Sequence, residues 1–268
     1  MYYKILFADH FDKYEEGLNE GLDENDFKNK NPTDWSGYVF TDKEHVMEWQ
    51  VLGEYIADVE IPAGVSIRSI AHNKVASTVI LSNIRLVSEM PEWNDPEFCL
   101  TAVKLEGRTL KYVKQQTDAI CLAAVKQNGS ALEYVKQKTP GLCLVAVQND
   151  SFAIRFVTEQ TEELCMIAVR RTPYYTMEYV RNQTDSLCRA AIMATPYSIE
   201  FVKNQTNELC MLAIELKPRT ISVIKNQTAE MCLKAVRRDG MLLEHCNVRN
   251  SVIDAAAVAQ NPNAAIYV

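Results

Sequence analysis

The sequence predicts an α+β protein, with a small N-terminal sheet-containing domain over residues 1–93 and an α-solenoid of about eight two-helix repeats over residues 94–268. Three observations lead there. Cysteine recurs at Cys99, Cys121, Cys143, Cys165, Cys188, Cys210 and Cys232, at intervals of 22, 22, 22, 23, 22 and 22 residues. A fixed period of this size marks stacked repeats. Alanine and then a β-branched residue follow every one of these cysteines three and four positions on, from Ala102-Val103 to Ala235-Val236. Residues 1–92 lack the period and carry short alternating apolar runs instead, which read as strands.

Within the N-terminal segment, residues 2–8 form a strand candidate, and Gly17, Gly21, Asn31 and Pro32 mark turns in a polar, acidic stretch. Residues 35–41 read as a second strand. A helix is expected over 42–49, capped at Thr41 or Asp42. Further strands are expected over 54–61, ended by Pro62, and over 79–87.

Each repeat then opens with a helix. A large apolar residue precedes the cysteine, as in Ile120, Leu142 and Leu164, and the spacing to the alanine and valine puts four side chains on one helical stripe. Thr117, Thr139, Thr161, Thr184, Thr206 and Thr228 stand four residues ahead of a cysteine, where a hydroxyl can accept from an orphan amide of the first turn. Asp95-Pro96 plays that part in the first repeat. Eight residues past the cysteine comes a breaker: Gly107, Gly129, Ser151, Pro173, Pro196, Pro218 or Gly240. A second short helix follows, carrying Leu110-Tyr112-Val113, Leu132-Tyr134-Val135 and their equivalents, with the tyrosine or phenylalanine counted in the interior. An eighth copy places Asp254 at the cysteine position, a polar exchange that suits a terminal repeat. The sheet domain is expected to cover Phe98 and Cys99 at the other end.

Charge divides along the same line. Residues 1–92 hold 17 acidic and 8 basic side chains, the remainder 18 and 20. No run of 18 apolar residues is present, and the first ten residues lack the basic start and apolar core of a secretory signal. Equivalent cysteines on neighbouring helices should lie roughly 8–10 Å apart, too far for a disulfide. No C-x-x-C pair suggests zinc. The thiols are therefore expected to be reduced and buried.

No H-E-x-x-H, G-x-S-x-G or Gly-rich phosphate loop occurs, so no catalytic residue, metal or cofactor is assigned. His245 falls on the repeat's aromatic position and is expected to be structural, whereas Asp9-His10 and His45 could flank a cleft in the sheet domain. Basic residues form two broken ladders. Lys104, Lys126, Arg170 and Arg237 lie five residues after a cysteine; Lys114, Lys136, Arg181, Lys203 and Lys225 fall near the end of the second helix. They either complement helix C-termini or form a phosphate-tracking stripe for RNA. The 23-residue interval reflects one inserted residue around Pro173-Tyr174-Tyr175-Thr176, expected to lie in an inter-helix loop. Tyr174 and Tyr175 cannot both be core there, and an exposed tyrosine suits a protein interface.

The string Gln116-Thr117-Asp118-Ala119-Ile120-Cys121-Leu122-Ala123-Ala124-Val125-Lys126-Gln127-Asn128-Gly129, continuing to Leu132-Glu133-Tyr134-Val135-Lys136, resembles the helical repeats of uncharacterised function found in giant, mimivirus-type DNA viruses. The resemblance spans about residues 94–268. The elements Gly37-Tyr38-Val39-Phe40-Thr41, Gly53-Glu54-Tyr55-Ile56 and Val59-Glu60-Ile61-Pro62 are similar to a domain that often precedes repeats in such viral proteins. What the resemblance implies is a setting, the cytoplasm of an infected host cell or the virion. The function expected is a non-enzymatic scaffold or adaptor binding a host or viral protein along the repeats, without membrane or metal. Two alternatives stay open. One is RNA binding through the basic ladders. The other is a degenerate ADP-ribosyltransferase-like N-terminal domain, suggested by the Gly-Tyr-x-Phe-Thr strand, although Arg68 and Arg85 are its only arginines.

Overall fold

The structure is a computed structural model that describes residues 2–6, 17–20, 38–41, 54–71 and 73–268. The chain forms two compact units, Met1–Gln137 and Lys138–Val268. Strands occupy the first part and helices the rest, an α+β architecture with helical repeats. The helix expected over 42–49, the turns at Gly21, Asn31 and Pro32, and residues His10, His45 and His72 lie outside the described residues.

In the first unit, β1 (Tyr2–Leu6), β4 (Tyr55–Glu60), β7 (Thr78–Leu86) and β2 (Gly17–Glu20) make an antiparallel sheet in the order β1-β4-β7-β2. β3 (Tyr38–Phe40), β6 (Asn73–Ala76) and β5 (Ile67–Ile70) make a second, in the order β3-β6-β5. A bridge between Tyr3 and Thr41 ties them together. Leu6, Phe40, Ala57, Val59, Ala76, Val79 and Leu81 form the core. All four expected strands are found among the described residues, at Tyr2–Leu6, Tyr38–Phe40, Tyr55–Glu60 and Thr78–Leu86. Gly17, expected in a turn, opens β2 instead: its φ of +108° suits a turn, but it pairs with Leu81. Strands β5 and β6 had no sequence expectation; β5 is only half covered and its alternation is interrupted by Arg68 and Ser69.

Eight ten-residue α-helices follow among the described residues. Pro96–Leu105 and Asp118–Gln127 belong to the first unit. Pro140–Asn149, Glu162–Arg171, Asp185–Ala194, Asn207–Leu216, Ala229–Arg238 and Ser251–Gln260 belong to the second. The threonine caps all form, each hydroxyl accepting from the third residue of its helix, and Asp95 accepts from the Glu97 amide. The cysteine, alanine and β-branched positions are buried from repeat one to repeat seven. All eight cysteines are free thiols.

The second helix is tighter than expected. In seven repeats it is a six-residue 3₁₀ helix, as in Gly107–Tyr112, Ser151–Phe156 and Pro196–Phe201. Its tyrosine or phenylalanine is only half-buried, so the interior is built from the leucine, isoleucine or valine positions and not from the aromatic ones. The leading repeat is covered in part by Trp93, from the 3₁₀ turn Pro91–Asn94. Its ring stacks on Tyr112 at 5.2–5.4 Å from Tyr112 and Phe98, its indole N–H donates to the Val87 carbonyl at 2.6 Å, and its carbonyl accepts from the Cys99 thiol.

Candidate recognition site

Glutamines stand five residues before five of the seven repeat cysteines, at Gln116, Gln160, Gln183, Gln205 and Gln227, and tie one repeat to the next. The Gln183 amide donates to the carbonyls of Met177 and Phe201 at 2.8 and 2.9 Å and accepts from the Lys203 amide at 2.8 Å. Gln116, Gln160 and Gln227 repeat this arrangement, and each also accepts weakly from its own repeat's thiol: Cys121, Cys165 or Cys232. The sulfur at that position is thus a small apolar group with a donor aimed at an amide. Asp254 has a different reason from the one its terminal place suggested. Arg249 replaces the glutamine in that repeat, pairing with Asp254 at 2.8 Å and donating to the Tyr267 carbonyl.

A second amide rung explains the breakers. Gln127 and Gln260 accept from the Gly107 and Gly240 amides of the preceding repeat. A Cβ on either glycine would come within 2.5 Å of the Ala124 or Ala257 carbonyl oxygen. Where the breaker is Pro173, Pro196 or Pro218, no N–H exists, and the corresponding residue one repeat on is Ala194, Leu216 or Arg238. The coupling of glycine with a glutamine 20 residues later was visible in the sequence and was missed there.

The two basic ladders have different surroundings. Lys104, Lys126, Arg170 and Arg237 are exposed in the last helical turn, the favourable place for a cation. Lys114, Lys136, Arg181, Lys203 and Lys225 lie two residues past the second helix. Three of them reach back to the preceding repeat: Lys136 Nζ donates to the Lys114 carbonyl, Arg181 to the Thr158 carbonyl, and Lys203 Nζ to those of Val180 and Arg181. These cations satisfy backbone groups. Arg85 of β7 is held by Asp58 at 3.1 Å and by the Asn83 carbonyl, while Arg68 stands on β5 in the other sheet. The two arginines are therefore not brought onto one sheet.

The inserted residue is not in a loop. Pro173–Tyr179 is a seven-residue α-helix where the other repeats have six-residue 3₁₀ helices. Two 3₁₀ turns take about 6 residues and two α turns about 7.2, so rewinding absorbs the insertion. The Thr176 amide accordingly donates to Thr172, four residues back, whereas the Ser198 amide donates to Thr195, three back. Tyr174 and Tyr175 fall in the first turn. Tyr175 is 56% exposed. Tyr174 is half-buried, its hydroxyl donating to Glu200 at 2.6 Å, and that carboxylate pushes its pKa up to about 12. The ring of Tyr174 meets Tyr175 and Phe201 edge-on at 4.8 and 4.9 Å, and Phe152 lies 6.1 Å from Tyr175 and 6.4 Å from Tyr179. Five aromatic rings from three successive repeats thus share one partly open patch.

The thiols offer no comparable chemistry: burial raises Cys99, Cys121, Cys143, Cys165, Cys188, Cys210 and Cys246, away from the reactive thiolate. Among the described residues, no three His, Cys, Asp or Glu side chains converge as a metal site would require, and no helix is long and apolar enough to cross a membrane. In the sheets, Lys4 is the buried cation; it donates to the Val39 carbonyl at 3.0 Å, and desolvation lowers its pKa to about 8.

A family model described as a domain of unknown function (DUF4116) matches residues 95–139. That stretch runs from the cap Asp95 to the cap Thr139, two repeat units long. No curated protein and no solved structure matches the chain.

Proposed function

We propose that this chain is a non-enzymatic recognition module that binds a protein partner on the face formed by its second helices, centred on Tyr174 and Tyr175. The observation that carries the reading is the five-ring patch built where one inserted residue changes the helix type. Tyrosine offers a large, stiff contact surface with a polar tip, the composition of interface hot spots. The patch sits on a framework of buried leucine, isoleucine and alanine positions, so its rings are held before a partner arrives. The partner we propose is a host or viral protein of an infected cell, the setting that the resemblance to giant-virus repeats would imply. Protein is favoured over RNA because Lys136, Arg181 and Lys203 already spend their charged heads on carbonyls.

The test is affinity capture by the full chain from infected-cell lysate, with and without nuclease. A partner retained after nuclease, and lost from the Tyr174→Ala/Tyr175→Ala variant at unchanged Tm, is the expected result. Loss on nuclease treatment, or retention by the variant, removes the reading.

A further inference from the structure

The chain itself displays what its aromatic positions take up. In repeat one, the Lys111 ammonium stands over Tyr112 at 4.6 Å; in repeat three, the Arg155 guanidinium stands over Phe156 at 4.5 Å. Arg108 of repeat one donates to the Tyr134 hydroxyl of repeat two at 3.2 Å, and Lys217 of repeat six stands over Tyr197 of repeat five at 5.2 Å. A cation over a π-face is attracted by the ring quadrupole, and guanidinium also stacks. The residue before the aromatic position, which supplies the cation in repeats one and three, is a glutamate in repeats two, four, five and seven: Glu133, Glu178, Glu200 and Glu244. What sets repeats three to five apart is the clustering of five rings around Tyr174 and Tyr175, with Glu200 bonded to one of them. No cation of the described residues stands over Tyr174, Tyr175, Tyr179 or Phe201. The patch thus holds the Glu200 carboxylate on Tyr174 and none of the described residues' bases over its rings.

We propose that the Phe152–Tyr174–Tyr175–Tyr179–Phe201 cluster, with Glu178 and Glu200 at its edge, is a recognition site for an arginine-bearing segment of the partner protein. The chemistry is complementary in both parts. A guanidinium plane lies on an aromatic face, and its N–H fork donates to a carboxylate, so the rings around Tyr174 with Glu200 present both halves of an arginine subsite, and Glu178 precedes Tyr179 on the same helix. Tyr174 holds Glu200 in place through its 2.6 Å hydrogen bond, which fixes one carboxylate beside the Phe201 ring. This assignment rests on the recognition face proposed above and names what that face binds.

The test uses the full chain with tyrosine and phenylalanine rings isotopically labelled, titrated with an acetylated, amidated Gly-Arg-Gly-Arg-Gly peptide and with its citrulline counterpart. The arginine peptide is expected to shift the ring signals of Tyr174, Tyr175, Tyr179 and Phe201 saturably, and the citrulline peptide to leave them in place. Glu178→Gln with Glu200→Gln should weaken the arginine peptide at least fivefold while Tm stays within 2 °C, since glutamine still accepts from Tyr174. Equal shifts with citrulline, no shift with arginine, unchanged affinity in the double variant, or a shift produced by single-stranded RNA instead would overturn the assignment. Partner capture and its loss in Tyr174→Ala/Tyr175→Ala do not depend on these outcomes, so failure here is separable from failure of the recognition face.

Discussion

A single side chain, the glutamine five residues ahead of five of the seven repeat cysteines, accounts for much of the register between those repeats. Gln183 satisfies two carbonyls and one amide in two successive units. Gln183→Leu would leave those groups partly buried and unpaired, at about 1–3 kcal/mol for each group fully desolvated. We expect a loss of roughly 2–5 kcal/mol in denaturant unfolding, against within about 0.5 kcal/mol for Gln148→Leu on the exposed helix face. The thiols beneath these glutamines set a pH limit. Burial raises Cys210 to about 11, so the folded chain keeps a proton that the unfolded chain releases near pH 8.5. The associated stability is whole below pH 8.5 and declines as pH rises through 11. Wild-type Tm should therefore fall more steeply across that window than the Tm of Cys210→Ala. Parallel slopes would show that this thiol contributes nothing to the dependence.

Between elements, close packing depends on smallness. Ala168 is fully buried, and Ala168→Trp should overfill the site and cost at least about 1–3 kcal/mol, read as a lower Tm. The fourth repeat gives a sharper test. Deleting Tyr174 restores the 22-residue interval and the 3₁₀ winding seen elsewhere, so the protein should fold with a modest change in Tm. Deleting Ser222 from the six-residue helix Pro218–Val223 has no such remedy and should disrupt that repeat. Helix content by circular dichroism and Tm distinguish the two. The repeat period, the threonine caps and the buried cysteine–alanine–valine stripe were legible in the sequence because each is a local rule repeated six or seven times. The 3₁₀ winding was not, since apolar spacing over six residues fits either helix. The aromatic position was misread as core because only the neighbouring repeat decides how much of a tyrosine is covered. The recognition site was half legible: the insertion named Tyr174 and Tyr175, but Phe152, Tyr179 and Phe201 join them only through stacking between repeats.

Across the whole molecule, charge follows the helices. Asp118, Glu162, Glu163, Asp185, Glu208 and Glu230 occupy first turns, and Lys104, Lys126, Arg170, Arg171, Arg237 and Arg238 last turns. Each sign complements the dipole end it sits on, worth about 0.3–1 kcal/mol per charge. Charge at these helix ends thus serves the fold, whereas the aromatic patch of repeats three to five is particular to one stretch of the array. The most direct measurement is site-specific photo-crosslinking in infected cells, with a benzoylphenylalanine replacing Tyr175 in one variant and Gln148 in another. The account predicts one nuclease-resistant protein adduct at position 175 and none at position 148. Adducts of equal yield at both positions, or an adduct only at 148, would contradict it.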